Sequence, residues 1–138
     1  MPIGRQQVSS ALVTDTNTTG ASAGHAVFMV SDNAVASANA ASVDTALVVG
    51  FVGVVGPIGT GKILTSGNIP GAQFVPGLTL GAGDRVFLSL VDGVLTNTIA
   101  GLSSPNVMSE VGIVADAARY PVDGTASITF LPKTPVVL

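Results

Sequence analysis

The sequence predicts an all-β chain: a β-sandwich or β-barrel built from two similar β-meander halves, with extended N- and C-terminal arms. Three observations carry this reading. Apolar residues make up 47% of the 138 but aromatics only 4%, so the apolar content is Val, Ala, Leu and Ile, a mixture whose β-branched members suit pleated strands. Gly (17) and Pro (8) recur at short spacing, which leaves little room for long helices. The third observation is that the chain carries one pattern twice.

The first copy is "GHAVFMVSDNAVAS", Gly24 to Ser37, and the second is "GDRVFLSLVDGVLT", Gly83 to Thr96. At a constant offset of 59, Gly24 meets Gly83, Val27 meets Val86, Phe28 meets Phe87, Val35 meets Val94 and Ser37 meets Thr96. Further on, "VVGFVGVV" answers to "EVGIVADA", so Gly50 and Phe51 match Gly112 and Ile113, and "TGKILTS" answers to "DGTASITF". Each copy reads strand, tight turn, strand, loop, strand, turn, strand. In the second copy Asp92-Gly93 gives a two-residue hairpin signal, because both central positions of such a turn need positive φ. Two β-meanders made alike by Val-rich composition are the alternative to true duplication.

One β-domain is expected over 24–131, with the repeat spanning about 24–67 and 83–130. The Ala-rich run Asn33 to Ala46 is the best helix candidate, but the repeat favours a strand at Ala34 to Ser37, then a loop with a short helical turn around Asn39 to Val43. Residues 1–23, rich in Thr, Ser, Asn and Gly, read as an extended arm. Residues 132–138 read as an extended tail, since Pro132 and Pro135 exclude a central strand. Two extended ends on a small domain point to contacts between molecules.

The run "VVGFVGVVGPIGTGKI" approaches a phosphate-binding loop, with Gly56, Gly61 and Lys62 at the right spacing. That loop needs a hydroxyl after the lysine and a helix after the loop. Ile63 stands where the hydroxyl belongs, and Gly67, Pro70 and Gly71 follow too closely for a helix. The expected structure is a turn with Lys62 exposed.

Charge narrows the remaining classes. The net charge is −3, and the basic residues Arg5, Lys62, Arg85, Arg119 and Lys133 are scattered, whereas nucleic-acid binding needs a clustered cationic face. Only 9% of residues are charged, against about 25% in an ordinary domain, which suits surfaces covered by partners. The longest apolar stretch, Ala46 to Ile58, is too short for a membrane helix and carries three glycines and a proline. The start, "MPIGRQQVSS", lacks the apolar core of a secretory signal, so a soluble, unexported chain is expected.

No catalytic, cofactor or metal residues are identified, and no enzyme is expected. His25 is the single histidine and there is no cysteine, so a His cluster and thiolate chemistry are both excluded. The carboxylates Asp15, Asp32, Asp44, Asp84, Asp92, Glu110, Asp116 and Asp123 lie mostly beside glycine or in turns, where Asp caps its own backbone. The stretch "DAARYPVDG" holds Arg119 and Tyr120, residue types that dominate interface energetics. It reads either as a contact loop anchored by these two or as a hairpin loop with an Asp116–Arg119 pair. With Val136, Val137 and Leu138 of the tail, Arg119 and Tyr120 are the candidate partner-contact residues.

From Gly24 to Leu138 the chain resembles small bacteriophage virion proteins. The residues that carry this are "GDRVFLSLVDGVLT", "VMSEVGIVADAA" and "ASITFLPKTPVVL", which are similar to strands of phage head-decoration proteins and of tail-fibre and adaptor modules. The resemblance implies a capsid decoration, or cement, protein that stabilises contacts between capsomers on the head surface and is assembled in the host cytoplasm. It implies partners in the chain itself, as a homotrimer, and in the major capsid protein, with no nucleic acid, membrane or small-molecule substrate. A tail, baseplate or fibre adaptor is the first alternative. A carbohydrate-binding module is the second, and it would need exposed aromatic rings.

Overall fold

The computed structural model describes residues 12–17, 21–31, 34–55 and 60–138. The chain is all-β, with antiparallel sheets packed together. Its elements in order are β1 (Leu12–Asn17), β2 (Ala26–Ser31), β3 (Ala34–Ser37), α1 (Val43–Ala46), β4 (Gly50–Val55), β5 (Thr60–Leu64), β6 (Gly67–Gln73), β7 (Arg85–Leu88), β8 (Leu95–Thr96), β9 (Val107–Met108), β10 (Glu110–Asp116), α2 (Tyr120–Asp123), β11 (Thr125–Phe130) and β12 (Val136–Val137).

Strand pairing gives the two halves the same arrangement. In the first half the order is β3-β2-β4-β5-β1, and in the second it is β8-β7-β10-β11-β6. Each is one arrangement of five strands taken in the same chain order. Both sheets curl until their ends meet at a single parallel pair, Asn17 with Ala34 in the first and Phe74 with Leu95 in the second. One pair is too little to make a fully bonded barrel, so each half is a curled sheet and the two stack.

Two of the irregularities repeat as well, while the slips between Met29 and Ser31 and between Glu110 and Gly112 are each confined to one half. The β1–β5 ladder slips between Val13 and Thr16, and the β6–β11 ladder slips between Ala126 and Ile128, opposite Ala72 and Ile69. The β4–β5 and β10–β11 ladders slip after Val52 and after Val114. The amides of Gly24 and Gly83 each donate 2.8 Å bonds, to Val52 O and Val114 O. These two glycines have φ of 84° and 90°, a region that L side chains rarely enter. Bulges are positioned features rather than accidents, and their shared placement supports the repeat more strongly than residue identity does.

Several expectations are corrected. Each repeat starts one strand earlier than the sequence pattern suggests, at 12 and 67, because "LVTDTN" and "GNIPGAQ" share no visible motif. The expected arm over 1–23 therefore contains a ladder strand, β1; residues 1–11 and 18–20 lie outside the described residues. Pro70 is accommodated in β6 because it sits at the sheet edge and at the bulge, where a missing N–H breaks no ladder bond.

The second hairpin strand is displaced by one. Val35 pairs with Met29 and Leu95 with Leu88, so Val35 corresponds to Leu95 rather than to Val94. Asp92-Gly93 does form a turn, closed by Val94 N–H donating to Val91 O, with Gly93 at φ 74°. It lies inside a wider loop, however, and the ladder stops at Leu88 and Leu95. The extra residue shifts the partner by one.

The strand at Ala34–Ser37 forms as expected, but the helical turn falls at Val43–Ala46. Asn39 is drawn away from helix: its Oδ1 accepts bonds from Ala41 N and from Thr45 Oγ1, a local side-chain turn that competes with helix. Lys62 is exposed, as expected, but it lies within β5 opposite Val54. A strand occupies the place where a phosphate loop requires a helix. The turn expected at 56–59 lies outside the described residues.

Two cores result. Val27, Val35, Val52 and Ile63 pack with Ala21 inside the first half. On the opposite face of the same strands, Ala26 and Phe51 join Ile69, Val86, Leu88, Leu95, Val111, Val114, Ile128 and Phe130 of the second half. Phe51 meets Phe130 edge to face at 5.4 Å, a preferred aromatic geometry. The first half thus buries both faces of its central strands, whereas among the described residues the second half buries little beyond Phe87 on its outer face.

Candidate interaction surfaces

The candidate contact residues fall at two separate places. Arg119 and Tyr120 lie in the connection from β10 to β11, and Val136, Val137 and Leu138 lie beyond the far end of β11. Seven residues of β10 separate these ends by roughly 20 Å, at the rise of an extended chain. The antiparallel β10–β11 pair forces the separation: its loop emerges at one end and its open strands at the other.

At the loop end, Tyr120 opens α2 and is held to the body. Its hydroxyl donates to Val75 O at 2.6 Å and accepts from Leu78 N at 2.9 Å. Its ring meets Phe74 at 6.3 Å. This tyrosine is a structural latch, so it does not supply the free anchor that the sequence suggested. Arg119 is exposed and pairs with Asp123 at 2.6 Å, four residues on, instead of with Asp116. Asp116 caps the Ala118 amide. Pro121 starts the turn with its fixed φ, and Gly124 ends it at φ 77°, returning its N–H to Tyr120 O. Val122 stands at the tip, 87% exposed.

Beside this loop lies an open cleft of about 300 Å³, lined by Gly24, Val52, Gly53, Leu64, Gly71 and Arg119 among others. Arg119 is the single charged residue of its lining among the described residues.

At the tail end, main-chain bonds gather several apolar segments. Ala40 N–H donates to Ser89 O, and Val107 N–H donates to Ala40 O, both at 2.9 Å. Val107 in turn pairs with Val137. Around this junction Val43, Leu47, Leu90, Val91, Val136 and Val137 are all about half exposed. The tail expected to extend over 132–138 is therefore extended but docked on its own chain, with its side chains outward.

Glu110 secures that docking. Its side chain is 8% exposed. Arg85 Nε and Lys133 Nζ reach its two oxygens at 3.1 and 3.2 Å, and its backbone oxygen accepts the Lys133 amide. The Arg85 hydrogen bond holds this carboxyl below the usual range, burial opposes that, and Lys133 assists. Arg85 also lies over the Phe87 ring at 5.2 Å, a cation–π arrangement.

A depressed carboxyl contributes stability above its unfolded pKa, and that contribution is lost as pH falls through the folded value. Glu110→Gln is expected to cost about 1–2 kcal/mol at neutral pH, since both cations it leaves behind are solvated. The deficit should shrink as pH falls through the depressed folded pKa, below the usual glutamate range, because the wild-type carboxyl is then protonated too. Denaturant melts of both proteins across pH 2.5–7 measure this, and a deficit independent of pH would remove the ion pairs from the account.

Several other titratable groups serve the fold. Asp84 accepts from the Gly81 amide and from Asn97, Asp92 accepts from Asn39 across the two halves, and Asp123 accepts from Thr125. His25 Nδ1 lies 2.9 Å from Ser37 Oγ. Burial lowers the His25 pKa, while Gln73 and Asp92 pull it upward. Among the described residues no group of three His, Cys, Asp or Glu could hold a metal ion, and no helix is long and apolar enough to cross a membrane.

No family model matches the chain, and neither the curated proteins nor the solved structures searched contain a match to it.

Proposed function

We propose that this chain is a bacteriophage capsid decoration protein, which adheres to the outside of the head and stabilises contacts between capsomers. The single observation that carries the reading is the apolar end around Ala40 and β12, displayed on a β-body whose described loops carry main-chain hydrogen bonds. An adhesive subunit needs a rigid shape and patches left uncovered within its own chain, and both are present here. The partners under this reading are copies of the chain itself, a trimer by the resemblance, and the major capsid protein. Weak contacts suffice, because many copies on a symmetric shell act together through high local concentration.

The carbohydrate-binding alternative draws no support from the rings. Phe51, Phe74, Phe87 and Phe130 are buried, Phe28 packs against the core, and Tyr120 is latched. No aromatic platform is left for a sugar.

The test is binding to emptied, expanded heads of the virus from whose genome the chain derives. Addition of the purified protein should coat them and raise their melting temperature. Binding to tails and not to heads would select the adaptor reading instead, and binding to neither would overturn both.

A further inference from the structure

The tail strand leaves a main-chain edge open. Leu138 N–H donates to Asn106 O at 3.0 Å, while Val137 and Val136 pair with Val107 and Met108. In an antiparallel ladder the bonding groups alternate in direction, so the N–H and C=O of Val137 face away from β9. No further strand pairs with β12 among the described residues. Leu131, Val136 and Val137 are about half exposed, and Leu138 is 38% exposed.

We propose that this edge is a self-association surface, on which β12 of a second copy pairs antiparallel about a two-fold axis. Val137 then faces its own counterpart, and Val136 faces Leu138. Three features select a second copy as the occupant. An antiparallel edge is complementary to itself, which a two-fold contact requires. Soluble edges are ordinarily blunted by charge, yet residues 134–138 carry no charged side chain. The nearest one, Lys133, is engaged by Glu110, so the edge side chains bring no like charges together. The contact also continues an existing ladder, extending β9–β12 into four strands across the axis.

The patch offers on the order of 300 Å² of apolar surface per copy, well below the roughly 800 Å² per partner of a standard stable interface. The pairing is therefore weak in dilute solution and fills as concentration rises. It goes beyond the head-surface reading and does not depend on it. If that reading holds, a two-fold contact of this kind can link one oligomer to the next.

Sedimentation velocity on the whole protein from micromolar to millimolar concentration tests it, with amide exchange at Val137 as a local readout. The wild type should gain mass with concentration, and the Val137 amide should become protected in parallel. Val137→Pro removes only the outward N–H, a change that edge strands tolerate. It should keep the wild-type melting temperature and lose the association. If this variant unfolds, Val137→Lys decides, because it places like charges opposite each other and should weaken association about fivefold at low salt. A wild type whose mass is independent of concentration overturns the proposal. So does association of undiminished strength in Val137→Lys, or in a folded Val137→Pro.

Discussion

Phe51→Ala should lower the stability of the whole molecule by about 3–5 kcal/mol, the usual cost of removing a buried phenylalanine. Phe51 is fully buried and lies on the face of the first half that packs against the second, edge to face with Phe130. Its loss opens a cavity where the two sheets meet, held at fixed spacing by backbone hydrogen bonds in which Ala26 and Ala40 donate to Gly93 O and Ser89 O, and Ala38 O and Gly24 O accept from Gly93 and Gln73. The surroundings can therefore collapse only partly. The melting temperature should fall by roughly 10 °C or more.

The form of the transition matters as much as its midpoint. The second half closes one side of its core with residues of the first, so calorimetry should show one shifted two-state transition. Val52→Ala gives a comparison, since Val52 belongs to the interior of the first half alone. It should cost less, and it should also yield a single transition. Two resolved transitions in either variant would mean that the halves fold independently and that the shared core has been overvalued.

The second large effect is expected at a matched pair of glycines. A Cβ on Gly112 would lie 2.0 Å from Thr129 O, and one on Gly50 would lie 2.5 Å from Leu64 O. Both obstacles are backbone atoms of a neighbouring strand, which cannot rotate out of the way. Neither glycine has positive φ, so the penalty is steric rather than conformational. Gly112→Ala should cost about 3 kcal/mol, the upper end of overpacking penalties, and Gly50→Ala slightly less.

Gly71→Ala is the control, because its added methyl meets nothing within 4 Å and its φ is ordinary. It should be neutral or stabilising by up to about 1 kcal/mol through the unfolded chain. Urea denaturation of the three variants measures all of this. Similar stability in Gly112→Ala and Gly71→Ala would show that β10 and β11 do not approach as closely as described.

The sequence by itself determined the class and the doubling. Val-rich runs, turn residues at short spacing and the Gly24–Gly83 and Gly50–Gly112 correspondences mark an all-β chain of two similar halves, because backbone constraints such as a close approach or positive φ admit only glycine. They also exclude a phosphate loop, since Ile63 and the following glycines and prolines rule out hydroxyl and helix alike. Tertiary structure alone decided the rest. The opening strand of each half, β1 and β6, is defined by its ladder partners and carries no recurrent motif. Tyr120 became a latch because the loop at Val75–Leu78 folds within reach of its hydroxyl, and Arg119 chose Asp123 because a helical turn sets that carboxylate beside it. The tail was legible as extended but not as docked: its pairing with β9 joins segments about 30 residues apart in the chain, and spacing along a sequence carries no information about which distant backbone groups will meet.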